Sequence, residues 1–192
     1  MAGITTFTVK EPIKNTLLLG IRFDAFDKRT KGFTKPVYVI IGNTPGGWLV
    51  QRHSAPAHIG VAGLEKVHLP AGKGAGEQKV EAFAKAVHRR LRLWRNRESA
   101  ARWVKEKAME AEGMGMDEEG QWRRRVKEVE YDGEVRSLEI RWRNGMKVIA
   151  KVDEVGKIDG AVALDRKGAR DVRLQREVRV SLDELPERLG WI

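Results

Sequence analysis

The sequence contains no cysteine, and only 7% of its 192 residues are aromatic. The absence of cysteine excludes disulfide bonds and thiolate metal ligands, and it is typical of cytosolic and nuclear proteins rather than of secreted ones. No apolar run approaches the roughly 18 residues that span a bilayer, so we expect no membrane partner. Hydrophobic residues nevertheless make up 41% of the chain, which predicts a folded core.

Positive charge is in excess and is concentrated in one segment. The formal net charge is +10, and residues 85–107 contain nine Lys or Arg against two Glu. Such a segment is either a solvated helix face or a surface that attracts an anionic partner, including nucleic acid through weak or indirect contact. We expect Val87, Leu91 and Trp94 to be buried and the arginines between them to be exposed. The candidate partner or anion contacts are Arg89, Arg90, Arg92, Arg95 and Arg97.

The residue patterns that mark catalytic and metal sites are incomplete in this sequence. His53, His58 and His68 have no accompanying carboxylate cluster, and no HExxH spacing is present. Ser54 lacks the flanking glycines of a nucleophile elbow. The glycines of residues 72–76 lack the Lys-Ser/Thr ending of a phosphate loop and are typical of a connection. We therefore expect no enzyme activity, no cofactor and no metal.

The first half of the chain predicts a small sheet followed by one long helix. Residues 17–23 alternate, which indicates a strand that buries Leu17, Leu19, Ile21 and Phe23. Residues 37–41 and 48–52 are rich in β-branched and aromatic side chains, and residues 28–32 form a polar connection before them. Apolar residues then recur at three- and four-residue steps from Val80 to Trp94, which predicts a helix over about residues 78–112.

The second half predicts another sheet. Leu138, Ile140 and Trp142 alternate with charged residues, and Asn144-Gly145 predicts a type I′ hairpin into a return strand that buries residues 146, 148, 150 and 152. We expect a third strand pair between residues 161–164 and 172–180. Ser181 and Glu184 resemble the capping box of a final helix. The helix pattern stops near Gly113, so we place the modules at residues 1–112 and 113–192 in an α+β fold.

Several segments resemble the fungal CENP-O family of the inner kinetochore. They are LGIRFD at residues 19–24, PVYVII at 36–41, VQRHSAP at 50–56 and the helix at 83–94. The family's turn, which reads His-Thr-Ile-Pro before an apolar residue and Ile, is matched by His53, Pro56 and Ile59, whereas Ala55 and His58 depart from it. The helix matches through Phe83, the pair Arg89-Arg90 and the step from Leu91 to Trp94. The resemblance covers about residues 17–104, and we take Arg52, His53 and Pro56 as the motif turn.

The resemblance implies tandem RWD-like modules, each a small antiparallel sheet packed against helices. It implies a non-catalytic scaffold that heterodimerises with a CENP-P-like double-RWD protein and joins CENP-Q-like and CENP-U-like subunits in the COMA complex. The expected location is the nucleus, at the centromere and kinetochore of the chromosome, where the complex links chromatin to the outer kinetochore during cell division. Family members carry an N-terminal coiled-coil-prone region, so we expect the natural protein to extend beyond this N-terminus. The alternative is a basic nucleic-acid-binding protein of the same fold class.

Overall fold

The computed structural model describes residues 3–11, 16–72, 76–112 and 126–192. The chain separates into two compact units, Met1–Arg92 and Leu93–Ile192. Each unit contains a four-stranded antiparallel sheet and helices, which confirms the α+β class. The division falls inside the long helix, and the boundary that we expected, between residues 112 and 113, lies at the edge of the described residues. The modules 1–112 and 113–192 therefore stay a prediction.

The sheet of the first unit has the order β1-β2-β5-β6. Its strands are β1 (Ile4–Lys10), β2 (Leu17–Phe23), β5 (Val37–Thr44) and β6 (Gly47–His53), and the short strands β3 (Phe26–Asp27) and β4 (Gly32–Phe33) form a separate hairpin. A 3-10 turn at Ala57–Ile59 and helix α1 (Val61–His68) follow, and helix α2 (Val80–Glu112) begins in this unit. The predicted strands at residues 37–41 and 48–52 and the long helix are confirmed.

Burial in β2 differs from the alternation that we expected. Ile21 and Phe23 are buried, but Leu17 is 70% exposed and Leu18 is buried. Leu17 lies at the end of the strand, whereas Leu18 shares its side of the sheet with Gly20, over which the ring of Phe7 folds from β1. Strand β1 was not predicted. Its residue Phe7 covers the side of β2 that contains Leu18 and Gly20, which the pattern of β2 alone does not show.

The sheet of the second unit has the order β10-β9-β8-β7. It consists of β7 (Val126–Tyr131), β8 (Ser137–Trp142), β9 (Lys147–Val152) and β10 (Ile158–Leu164). The expected inward residues of β8 and β9 are confirmed, since Leu138, Ile140 and Trp142 are each at most 2% exposed. They share one core with the second part of α2, where Ala101, Val104 and Ala108 are buried.

The hairpin between β8 and β9 is confirmed, but its predicted turn type is wrong. A type I′ turn needs two positive φ angles, whereas only Gly145 has one, at +89°. The Asn144 side chain instead accepts a hydrogen bond from the Met146 N–H at 3.0 Å. This side-chain bond stabilises a longer loop in which Asn144 keeps an ordinary backbone angle.

The final segment corrects two further expectations. Residues 172–180 do not form a strand, because Asp171 caps helix α3 (Val172–Glu177) by accepting the Leu174 N–H at 2.9 Å. Ser181 does not cap the last helix, α4 (Leu185–Arg188). The N-cap residue is Glu184, which makes no side-chain capping bond, and Ser181 forms a β-bridge with Lys157. Leu174, Val178 and Leu185 are buried in this segment, whereas Val172 is exposed.

Candidate interaction surfaces

Helix α2 carries most of the candidate residues, and its buried positions recur at three- and four-residue steps along its length. Phe83, Val87 and Leu91 are buried in the first unit, and Ala101, Val104 and Ala108 are buried in the second. A seven-residue step maps buried Val87 onto Trp94, Ala101 and Ala108, which are buried too, so one apolar stripe continues along the helix at the same spacing. The exposed basic residues of the helix are Lys85, Arg89, Arg90, Arg92, Arg102 and Lys105.

Arg89 and Arg92 form the clearest basic surface of the first unit. Both side chains are exposed, and neither makes an ion pair with another described residue. Lys85 lies on the same helix face but is paired with Glu81 at 2.6 Å. Arg89 and Arg92 are three residues apart, hence adjacent on the helix surface, and they can contact one anionic group or two neighbouring ones.

Arg90 has a structural contact in addition to its exposure. Its guanidinium donates a hydrogen bond to the Ile59 carbonyl at 2.9 Å. Ile59 is buried and ends the 3-10 turn that Pro56 begins, and Gly60 follows with a φ of +66°. The positive φ favours glycine at position 60, and a Cβ there would lie 2.9 Å from the Arg90 guanidinium, which would have to move. The structure thus joins Arg90 to the segment that contains the motif turn.

The other residues of the motif turn lie at the end of β6. Arg52 and His53 are exposed, and they pair with Ile40 and Val39 of β5. Ser54 then fixes the chain to β5, because its hydroxyl accepts the Tyr38 N–H at 2.9 Å and its own N–H donates to the Tyr38 carbonyl. These two hydrogen bonds fix the start of the motif turn against β5.

Arg95 is only partly available to a partner. Its guanidinium pairs with Glu98 at 2.7 Å and lies 4.2 Å from the centre of the Trp94 ring. A cation over the face of a tryptophan is attracted by the negative electrostatic potential of the ring. Trp94 is itself buried, as predicted, and donates its indole N–H to the Gly133 carbonyl at 2.9 Å.

The exposure that we expected of Arg97 is wrong. This residue is only 6% exposed. Its guanidinium donates to the Glu154 carbonyl at 2.7 Å and to the Glu134 carbonyl at 3.0 Å, so its charge is used inside the second unit. Burial lowers the pKa of the Arg97 guanidinium, and the charge of Arg136 acts in the same direction. An arginine nevertheless stays protonated at neutral pH, because its ordinary pKa is so high.

Two turns of the second sheet present the carbonyls that bind Arg97. Asp132 accepts the N–H groups of Glu134 and Arg136 at 2.9 and 3.0 Å, and Asp153 accepts those of Val155 and Lys157 at 2.9 and 2.8 Å. Each aspartate therefore fixes its turn through its own side chain. The sequence signal that relates these turns is an aspartate that begins a four- or five-residue polar loop between alternating strands.

The outer face of the second sheet carries several ion pairs beside two exposed apolar side chains, Ile149 and Val162. Arg141 pairs with Glu128 at 2.9 Å and with Glu130 at 3.5 Å, and it also donates to Glu139. Lys147 pairs with Glu139 at 2.9 Å from the next strand, and its hydrogen bond is the main cause of the lowered pKa of that carboxyl. A sheet face of this composition is suited to water.

Within residues 3–11, 16–72, 76–112 and 126–192, no three His, Asp or Glu side chains converge in a way that could hold a metal ion. In those same ranges no helix combines the length and the apolar character that crossing a membrane requires.

The sequence matches one protein-family model over most of its length. The family model described as the Cenp-O kinetochore centromere component matches residues 4–189. The match extends over both compact units, and so beyond the residues 17–104 for which the segments alone showed a resemblance. No curated protein matches the chain.

Proposed function

Because this chain belongs to the CENP-O family of kinetochore centromere components, we propose that it is a non-catalytic scaffold subunit of the inner kinetochore. It heterodimerises with a CENP-P-like double-RWD protein and joins CENP-Q-like and CENP-U-like subunits in a COMA complex. Through that complex it links centromeric chromatin to the outer kinetochore. The observation that carries the proposal is the family match over residues 4–189.

The architecture of each unit supports the assignment of tandem RWD-like modules. Both units contain a four-stranded antiparallel sheet with buried helix positions from α2, and a chain built this way offers two sheets for contact with other proteins. We propose a non-catalytic role because members of the family are structural components of the kinetochore. The Ser54 hydroxyl, moreover, is bonded to the Tyr38 backbone.

Co-expression tests the heterodimer most simply. The chain is expressed with the CENP-P-like protein of the same organism, and the pair is purified through a tag on one partner and sized by chromatography with light scattering. A stable one-to-one complex is expected. A folded chain that elutes as a monomer in the presence of that protein contradicts the proposal.

A second candidate function is contact with the DNA backbone. It is favoured by Arg89 and Arg92, which are exposed without an acidic partner among the described residues. Arginine contacts with phosphate release counterions, so binding through this surface falls steeply as salt rises. Replacing both residues by glutamate should weaken binding to a duplex and reduce the salt slope by about two. Arg102→Glu is the control, because Arg102 is exposed but lies 3.6 Å from Glu98.

A further inference from the structure

The two edge strands of the first sheet differ in the hydrogen-bond partners of their outward backbone groups. At β6 the outward backbone groups are bonded to side chains. The Trp48 N–H donates to Gln78 at 2.6 Å, the Gln78 amide donates back to the Trp48 carbonyl at 3.1 Å, and the Val50 N–H donates to Glu65 at 2.7 Å. These bonds occupy the positions that an added strand would use, so the β6 edge is closed.

Strand β1 forms the opposite edge. Gly3 and Glu11 bond to Asp24 and Thr16 across the pair with β2, so the odd-numbered residues between them direct their backbone groups towards β2. The even-numbered residues therefore direct theirs away from the sheet; they are Ile4, Thr6, Thr8 and Lys10. No hydrogen bond joins these outward groups to any other residue that the structure describes.

The sequence of β1 also lacks the devices that protect an edge. The strand has no proline and pairs with β2 without a bulge, and its only charge is Lys10 at the end. Five of its seven residues are β-branched, which suits an extended strand. An edge of this kind is a template for another strand, and main-chain hydrogen bonds would supply much of the affinity.

The outer sheet face beside this edge is apolar. Phe7 lies over Gly20, where a Cβ atom would come within 2.4 Å of its ring, and packs edge-on against Tyr38 with 6.1 Å between ring centres. Leu18 and Ile40 lie on the same face by strand register. Phe7 remains 38% exposed. The outer face of the second sheet also exposes two paired apolar side chains, Ile149 and Val162, but Ile149 lies opposite the ion-paired Glu139.

The net positive charge of the first unit indicates which kind of polypeptide would bind at the β1 edge. Its described residues contain thirteen Lys or Arg and six Asp or Glu. A second copy of this chain would bring a like charge to the edge, whereas an acidic polypeptide would be attracted. We propose that β1 and the Phe7 face accept an extended segment of another polypeptide, with apolar side chains in alternation and acidic residues beside them. The proposal rests on the heterodimer proposed above, whose partner supplies that segment.

Replacing one outward amide tests the proposal. Thr6→Pro removes an N–H that points away from β2 and leaves the β1–β2 bonds in place. Thr6→Val is the matched control, because it also loses the hydroxyl but keeps the N–H. The probe is the CENP-P-like chain used for co-expression, with affinity measured by calorimetry. We expect Thr6→Val to bind like the original chain and Thr6→Pro to bind about tenfold more weakly.

Amide hydrogen exchange of the original chain, free and in complex, gives a second measurement that needs no variant. Protection of the Thr6 and Thr8 amides on binding is expected. If a complex forms but these amides stay unprotected, or if the two variants bind alike, the inference is overturned and the proposed heterodimer stands. If no complex forms, the heterodimer itself is refuted, and the inference with it. Protection in the free chain that grows with its concentration would assign the edge to a second copy instead.

Discussion

Replacement of Arg97 by methionine should destabilise the second unit strongly although the residue lies on a helix of exposed arginines. The change removes every donor to the Glu134 and Glu154 carbonyls, which accept from Arg97 at 3.0 and 2.7 Å. A hydrogen bond from a charged donor contributes about 1.5–3 kcal/mol, and the bonds to two carbonyls are affected. Part of this cost is offset because methionine buries no charge. We expect a net loss of about 3 kcal/mol, the upper end of the usual range for single substitutions.

Urea unfolding followed by circular dichroism measures this loss. Arg89→Met is the matched control on the same helix, and it should change the free energy of unfolding by less than about 0.5 kcal/mol because Arg89 is exposed. Arg97→Lys should fall between the two, since one ammonium cannot reproduce the planar fork of donors. In a thermal scan the methionine variant should melt roughly 6–12 °C lower. Equal stability of Arg97→Met and Arg89→Met would refute the assignment of Arg97 as a structural residue.

Four further substitutions test local features. Gly47→Ala should lower the free energy of unfolding by about 2 kcal/mol, because Gly47 has a φ of +104° and its new Cβ would lie 2.3 Å from the Gln78 side chain. Gly63 lies in open space on α1, so Gly63→Ala should instead raise the free energy of unfolding by up to about 1 kcal/mol in the same urea assay. Asp171→Ala should cost about 1 kcal/mol through loss of the α3 cap, whereas equal stability would show that the cap is dispensable. Burial lowers the pKa of His88. The contribution of His88 to stability is therefore present above its unfolded pKa of about 6.5 and is lost as the pH falls below that value. His88→Gln should flatten this fall in stability at acid pH, and an unchanged pH profile of the variant would contradict the prediction.

The parts of the fold that the sequence predicted are those with a strict local period. Leu138, Ile140 and Trp142 alternate with charged residues. Because the charged face must reach water, a period of two predicts a strand that buries only its apolar face. The apolar residues between 172 and 180 have the same spacing in part, yet Asp171 caps a helix there. A single side-chain hydrogen bond selected between two structures that the apolar pattern alone allows.

The candidate site was predictable only where exposure followed from the helix period. Arg89 and Arg92 are exposed as expected. Arg97 is buried because two turns that are distant in sequence, fixed by Asp132 and Asp153, bring their carbonyls to it. A helical projection contains no information about such long-range partners. The helix period did place Arg97 on the buried stripe, three residues after Trp94 and four before Ala101, but its charge led us to expect exposure.

The central claim is that this chain is a kinetochore component, and its location in dividing cells tests that claim most directly. The endogenous gene is tagged with a fluorescent protein and imaged together with the centromeric histone. We expect discrete foci that coincide with the centromeres and that disappear when the proposed CENP-P-like partner is depleted. A signal spread through the cell, or concentrated at a structure other than the centromere while the partner is present, would contradict it.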